Sequence, residues 1–219
     1  MSTVDFSQLL PPSLITELSY EAIFTKRKES FISLYDASEQ QAVRELLQRE
    51  SEPVVKLLQE NAYLEMLYQA KCNADARSLL LAYAEKSDLD HLALTEYGLT
   101  RLVVTPADNT VIPPVEAIYE SAERLRERCI LSFDGMNTAG SANAYRYFTL
   151  SADGRVDGIK VRSDEANPYL LDIVITQVDS INGEASAELI TAVQNALDPD
   201  HVRPVCDRPT VKASSATNY

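Results

Sequence analysis

Apolar residues recur every three to four positions through the first hundred residues of the chain, which is the spacing of amphipathic helices. The pattern predicts two helices within residues 19–50, the first of them capped by the serine at its start. No glycine or proline interrupts residues 54–86, so we expect one long helix over residues 53–86, with Ser51 as its N-cap. A short helix capped by Ser87 and ended by Gly98 follows it.

Prolines and polar residues interrupt the helical spacing after residue 100. Residues 101–113 are predicted to form a connection that includes a short strand at residues 102–105. An amphipathic helix is predicted over residues 115–133, "VEAIYESAERLRERCILSF", with Ile118 and Cys129 on its apolar face. The many charged side chains of this helix predict that its opposite face is exposed to solvent.

Apolar and polar residues alternate in the last third of the chain, which is the pattern of β-strands. "GIKVRS" and "LLDIVITQ" are predicted to form a hairpin, "SAELITAVQNALD" a helix capped by Ser186, and "DRPTVKA" a third strand. The predicted fold class is therefore α+β, with a mostly helical N-terminal region followed by a small α/β domain of hairpin, helix and strand.

These patterns divide the chain into three regions. Residues 1–100 are predicted to form a helical partner-binding region, residues 101–152 a connector with amphipathic helices, and residues 153–219 the small α/β domain. Three strands and one helix make a thin core. We therefore expect the last domain to be incomplete, either continued by further chain or completed at its edge by a partner.

Composition narrows the classes of function that the chain can have. Its 219 residues include 33 Asp and Glu against 20 Lys and Arg, a formal net charge of −13. Proteins that follow a nucleic-acid backbone need the opposite balance, and anionic membrane surfaces repel such a chain, so neither partner is expected. No apolar run approaches the roughly 20 residues of a membrane span, and the N-terminus lacks the pattern of a signal peptide, so we expect a cytosolic protein when it is made.

The stretch "NTAGSANAYRYFTLSADGRV", residues 137–156, is the one segment that resembles a ligand-binding loop. Phosphate-binding loops need several glycines, and this stretch offers Gly140 followed by small residues, without the lysine of a P-loop. The favoured interpretation is structural: Thr138 or the nearby Ser141 caps a helix that contains Tyr145 and Phe148.

The remaining candidates for chemistry are two histidines and three cysteines. His91 and His201 lie in acidic segments, without a third metal ligand at helical spacing or a nucleophile motif. Cys72, Cys129 and Cys206 are scattered, which predicts buried small side chains in a reducing compartment. We therefore predict no catalytic, cofactor-binding or metal-binding residue.

The long helical region is the stronger candidate for function. A long helix whose apolar residues exceed what one neighbour can cover commonly packs against another chain. The alternative is that these residues form the core of a self-contained helical domain. The partner-contacting side chains are predicted to be Val54, Leu57, Leu58, Leu64 and Leu67.

The chain as a whole resembles the baseplate J-like proteins of contractile-tailed bacteriophages and related contractile injection particles. The four stretches that carry the resemblance are "LLPPSLITELSYEAIFTKRKESFISLY", "ESEPVVKLLQENAYLEMLYQAKCNADARSLLLAYAEKSDLDHLALTEYGLTRL", "ERLRERCILSFDGMNTAGSANAYRYFTLSADGRVDGIKV" and "GEASAELITAVQNALDPDHVRPVCDRPTVKA". Members of this family usually continue past the equivalent of residue 219, so the resemblance also implies that this sequence is a truncated gene product, a fragment or a short variant.

The resemblance implies a structural component of a phage or prophage contractile-tail baseplate wedge, involved in baseplate assembly and without catalytic residues. Its partners would be a tail protein I-like baseplate protein, other baseplate subunits and further copies of itself. It would lie in the cytoplasm of the bacterial host during assembly and in the tail baseplate of the virion afterwards. The stretch around Thr138, Gly140, Tyr145 and Phe148 matches a family signature that we interpret as structural.

Two other functions are compatible with the same residues. One is a soluble dimeric adaptor, which would need the apolar helices and no phage partner. The other is an enzyme of unrecognised type, which would need a pocket of converging polar groups, such as one around His91 or His201.

Overall fold

The structure is a computed structural model of the 219-residue chain that describes residues 17–137 and 139–214. It divides into two compact units between Ala84 and Glu85. We call the described residues 17–84 the helical unit and those from 85 onward the α/β unit. The division lies at neither of the boundaries, 100 and 152, that the sequence predicts for the functional regions.

The helical unit contains three helices, α1 (Tyr20–Ser33), α2 (Gln40–Leu46) and α3 (Pro53–Ser78). The hydroxyl of Ser19 accepts a hydrogen bond from the backbone N–H of Ala22 and caps α1, as the sequence predicts. A small core of buried side chains joins the three helices. Its members are Ile32, Leu47, Val55 and Leu58, with Phe24, Phe31, Val43 and Val54 packed partly buried against them.

The long helix ends earlier than the sequence predicts. It stops at Ser78, and residues 79–85 form turns in which the N–H groups of Tyr83 and Ala84 donate to the carbonyl of Leu80. Ala84 is fully buried there, and Lys86 takes a left-handed conformation with φ of +49°. The prediction was wrong because helix propensity is a weak preference, and here the burial of Ala84 and the turn hydrogen bonds to Leu80 override it.

Two of the predicted helix caps are also wrong. The N-cap positions of α3 and of the next helix are Glu52 and Glu85, and neither side chain caps the backbone. Ser51 and Ser87 lie one residue before and two residues after those positions. Helix ends are harder to predict than helix existence, because terminal turns fray and shift by about one or two residues.

The α/β unit contains four helices and five strands within the described residues. The elements are α4 (Lys86–Tyr97), β1 (Val103–Thr105), β2 (Ile118–Tyr119), α5 (Ala122–Gly135), α6 (Ala142–Ala152), β3 (Val156–Ser163), β4 (Leu170–Gln177), α7 (Ala187–Leu197) and β5 (Arg208–Ala213). Gly98 ends α4 with φ of +65°, which confirms the predicted C-cap.

Strands β3, β4 and β5 form one sheet in that order. The β3–β4 pair is an antiparallel hairpin, whereas β5 returns parallel to β4 after the crossover through α7. This arrangement confirms the predicted order of hairpin, helix and strand. Helices α6 and α7 pack on one face of the sheet, and side chains such as Ile173, Ile175 and Val211 point toward them.

The helix that the sequence predicts over residues 115–133 begins only at Ala122. The residues before it form β2, which pairs antiparallel with β1, and Ser121 caps α5. Ile118 therefore lies on a strand and is half exposed, instead of on the apolar face of a helix. Hydrogen bonding to β1 replaces the predicted helix in this segment. The helical spacing did not reveal this pairing, because the partner strand lies outside the segment.

Candidate interaction surfaces

Helix α3 is apolar on two opposite sides. At 100° per residue, Val55, Leu58 and Ala62 share one side, and all three are buried in the helical unit. Leu57 and Leu64 lie on the other side and are 56% and 54% exposed. A helix with one solvated face should carry polar residues there, so the second apolar side is a candidate contact surface.

The five predicted partner residues of α3 fall into two groups. Leu57, Leu64 and Leu67 are exposed, whereas Leu58 is buried and Val54 is packed partly buried against the same core. The sequence did not single out two further exposed side chains of this helix, the tyrosines at 63 and 68, although both lie four residues from an exposed leucine. We define the α3 apolar surface as Leu57, Tyr63, Leu64, Leu67 and Tyr68.

A second group of exposed apolar residues lies on the hairpin of β1 and β2. The bridge between Asp108 and Val115 extends this hairpin, and Ile112 in its loop is 99% exposed. Val111 and Tyr119 add apolar surface on the same hairpin. The hairpin thus presents side chains to solvent that a self-contained protein would normally bury.

The stretch that resembled a ligand loop is a structural turn in the described residues. Thr138 lies outside them, so the capping residue that the structure identifies is Ser141, whose hydroxyl accepts from the N–H of Ala144. Gly140 has φ of +71°, and a Cβ at this position would lie 2.7 Å from the carboxylate of Asp207 and from the ring of Pro204. Only glycine fits both the conformation and the space.

Two of the three aromatic residues of this stretch, Tyr145 and Phe148, anchor α6 to the core that it shares with the sheet. Tyr145 is fully buried, and its hydroxyl donates a 2.7 Å hydrogen bond to the carboxylate of Asp207. Burial, and then the hydrogen bond to Asp207, raises the pKa of Tyr145 above its ordinary value. Phe148 packs partly buried against the same core, with its ring at an angle to that of Tyr147.

The sequence predicts that the charged face of the helix over residues 115–133 is exposed to solvent, but two charged residues of this segment are buried. Glu120 and Arg128 are each 3% exposed, and an Arg128 Nη1 group donates to the carboxylate of Glu120. Arg128 also donates to the carbonyl of Thr100 and to the hydroxyl of Ser151. The prediction was wrong because these partners come from other parts of the chain and satisfy the buried charge.

Arg124 extends this buried network toward the sheet. Its Nε atom lies 3.3 Å from the Glu120 carboxylate, and its Nη2 atom donates to the carbonyls of Leu150 and Asp153. Burial lowers the pKa of Arg124, and the charge of Glu120 opposes that effect. The spacing held a signal for the network, because Arg128 follows Leu125 by three residues and so lies on the apolar side of α5.

The histidines and cysteines do not come together. His91 and His201 are both exposed, and within residues 17–137 and 139–214 no group of histidine, cysteine and acidic side chains could hold a metal ion. Cys129 is buried, and burial raises the pKa of its thiol to about 11. Cys72 and Cys206 are exposed, which corrects the prediction that all three thiols are buried. None of the described helices is long and apolar enough to cross a bilayer.

Comparison with known proteins identifies the family of this chain. A sequence model described as the baseplate J-like N-terminal domain matches residues 50–108, a range that contains the whole α3 apolar surface. The chain is 43% identical to Baseplate protein J of Escherichia phage P2, over all of its own 219 residues and 71% of that relative. The chain therefore belongs to the baseplate J-like family.

Proposed function

We propose that this protein is a wedge component of a contractile-tail baseplate, and that it joins other baseplate subunits through the α3 apolar surface without catalysing a reaction. As a member of the baseplate J-like family, it is a structural component of a phage tail baseplate. The proposal adds the wedge, the assembly role and the surface that makes the contact. The host cytoplasm is the proposed location before assembly.

The observation that carries the proposal is the exposure of the α3 apolar surface inside the segment that matches the family model. Burying a leucine side chain completely contributes about 1.5–3 kcal/mol. Leu57, Leu64 and Leu67 keep about half of their surface in water, so each would contribute about 1 kcal/mol when a partner covers it. Tyr63 and Tyr68 suit an interface because they combine a large apolar ring with a hydroxyl group that can stay wet.

The proposed partner is a tail protein I-like baseplate protein, with other baseplate subunits and further copies of this chain as additional neighbours. Neither nucleic acid nor membrane is a proposed partner, since the net charge of −13 opposes both. The contact is proposed to be mechanical, because the apolar surface supplies packing area and no reactive group.

Co-expression with a tail protein I-like protein tests the proposal. The unaltered chain should copurify with that partner, and the double variant Leu57→Ser/Leu64→Ser should lose the complex while keeping its helical circular dichroism. The matched control is Leu79→Ser/Leu94→Ser, which removes two leucines that are 74% and 55% exposed but lie outside the α3 apolar surface. This control should keep the complex.

Two results would count against the proposal. A well-folded chain that forms no complex at any salt concentration would favour the dimeric adaptor, and equal loss of the complex in both double variants would remove the role of α3. A third candidate function, an enzyme, would gain support only from a ligand bound around His91 or His201.

A further inference from the structure

One face of the sheet in the α/β unit has no cover among the described residues of that unit. Helices α6 and α7 pack on the face that carries Ile173 and Ile175, which are fully buried. The alternate residues of the same strands point the other way. On that side Lys160, Arg162 and Lys212 are exposed, and Val174 is only half buried.

This uncovered face is basic in a protein that is strongly acidic. We call it the open sheet face and define it by Lys160, Arg162, Asp172, Val174, Thr176, Arg208 and Lys212. It holds four cationic side chains and the carboxylate of Asp172, and Glu184, which pairs with Thr176, adds a second carboxylate at one end. In the whole chain, by contrast, acids outnumber bases by 33 to 20. The reversal of charge on one contiguous face points to a partner that supplies carboxylates.

The cations of this face are not equally available to pair with a binding partner. The Nζ atom of Lys212 lies 2.6 Å from the carboxylate of Asp172, and the guanidinium of Arg208 donates to the carbonyls of Val205 and Asp207. Lys160 and Arg162 form no ion pair with any described residue. These two side chains on β3 are therefore the free charges of the face.

The face is also concave. A cavity of about 610 Å³ lies over it, with Lys160, Arg162 and Lys212 on its lining and Val174 and Thr176 among the other lining residues. Gly158 also lines the cavity, where a Cβ would lie 2.8 Å from the hydroxyl of Thr176, and its N–H donates a 2.7 Å hydrogen bond to that hydroxyl. The centre can therefore pack against a chain segment while the rim offers cations.

A symmetric contact between two copies of this face is unfavourable. A two-fold contact places the same surface patch on both sides of the interface. Each copy would then set its net positive patch, with the unpaired Lys160 and Arg162, against the net positive patch of the other, and like charges at short range repel. The occupant of the face must therefore carry the opposite charge.

We propose that the open sheet face binds an acidic segment of a different baseplate subunit, with its carboxylates paired to Lys160 and Arg162 and its body against Val174 and Thr176. This inference rests on the proposed function for the existence of such a subunit, but it uses a different surface from the α3 contact. Each exposed ion pair is weak alone, and several around one cavity determine which partner is accepted and how fast it binds.

The test measures binding of a short fluorescent peptide of glutamate and alanine to the full chain by fluorescence anisotropy. The probe should bind at about 50 mM NaCl and lose affinity at about 500 mM, where the Debye length falls to a few ångströms. A peptide with glutamine in place of each glutamate should not bind. The variant Lys160→Glu/Arg162→Glu should weaken binding by about tenfold or more.

The matched control is Lys26→Glu/Lys56→Glu, which makes the same change in net charge at two exposed lysines of the helical unit. It should bind the acidic peptide with an affinity within about twofold of the unaltered chain. Equal weakening by both double variants would overturn the proposal, because the effect would then come from net charge and not from the face.

Sedimentation velocity of the chain without peptide tests whether the open sheet face binds a second copy of this chain instead of a different subunit. Self-association that Lys160→Glu/Arg162→Glu abolishes would assign the face to a second copy and overturn the choice of a different subunit. The proposed function and the proposal for the open sheet face can be contradicted by different results. Peptide binding with no copurified partner would contradict the proposed function, and a copurified partner with no face-dependent peptide binding would contradict this inference.

Discussion

The helical unit and the α/β unit differ in how much apolar surface each one buries for itself. Among the described residues, thirteen buried side chains of the α/β unit form one cluster that links α5, α6, α7 and the sheet, whereas the buried cluster that joins α1, α2 and α3 has four members, with Ile23 and Ala62 buried outside it. The helical unit also keeps an apolar surface in water along a helix of 26 residues. A thin core beside an exposed apolar surface is the arrangement expected of a segment that is completed by another chain.

The two units also use charge differently. In the α/β unit, the carboxylate of Glu120 is buried between Arg124 and Arg128. In the helical unit, the clearest cross-helix ion pair joins Arg27 and Glu65 across 2.6 Å, with side chains that are 45% and 24% exposed. Solvent screens the second kind of pair, so it contributes little to stability. Buried charge therefore makes the α/β unit the more sensitive of the two to single substitutions.

The largest expected effect comes from removing the acid at the centre of the buried network. Glu120→Ala leaves Arg124 and Arg128 buried without their carboxylate, which should lower the free energy of unfolding by about 3–5 kcal/mol. Glu116→Ala is the matched control, because Glu116 is an exposed glutamate four residues earlier in the chain. It should change stability by less than about 0.5 kcal/mol in urea unfolding. Similar values for the two variants would show that the network is not a source of stability.

A smaller effect compares the two cores directly. Ile173→Ala and Leu58→Ala should each lower the free energy of unfolding, within the range of about 2–5 kcal/mol seen for such truncations. We expect Ile173→Ala near the top of this range, because Ile173 is fully enclosed and its cavity cannot collapse. Leu58 is 8% exposed in a four-residue core, so its neighbours can relax and the cost should lie near the bottom. Equal costs in urea unfolding would remove the contrast between the units.

The smallest expected effect concerns the hydroxyl of Tyr145. Tyr145→Phe removes its hydrogen bond to Asp207 and should cost about 1 kcal/mol near neutral pH. The raised pKa of Tyr145 means that the folded state holds the phenol proton more tightly than the unfolded state. The stabilisation is therefore complete below the ordinary pKa of 10.0 and is lost as pH rises above it.

Urea unfolding at neutral pH and above pH 10 measures this dependence. The stability difference between the unaltered chain and Tyr145→Phe should narrow as the pH rises. Tyr119→Phe is the control, since Tyr119 is 53% exposed and the substitution should leave stability the same at both pH values. A difference that stays constant would contradict the assignment of the raised pKa to the folded state.

Local patterns account for the elements that the sequence predicted correctly. The alternation in "GIKVRS" and "LLDIVITQ" gave the hairpin, and the spacing of Leu189, Val193 and Leu197 gave α7, since each pattern lies within one element. The candidate surface was predicted only in part. Leu57, Leu64 and Leu67 proved exposed, but periodicity alone does not say which side of an apolar helix faces its own neighbours.

The sequence by itself therefore determined the caps at Ser19, Gly98 and Ser186 and the order of helices and strands, because these depend on residues within a few positions of each other. Only the tertiary structure decided where α3 ends and that Arg128 is buried. Those outcomes depend on residues far apart in the chain, such as the contacts of Arg128 with Thr100 and Ser151, and the free energy of such contacts exceeds local preference.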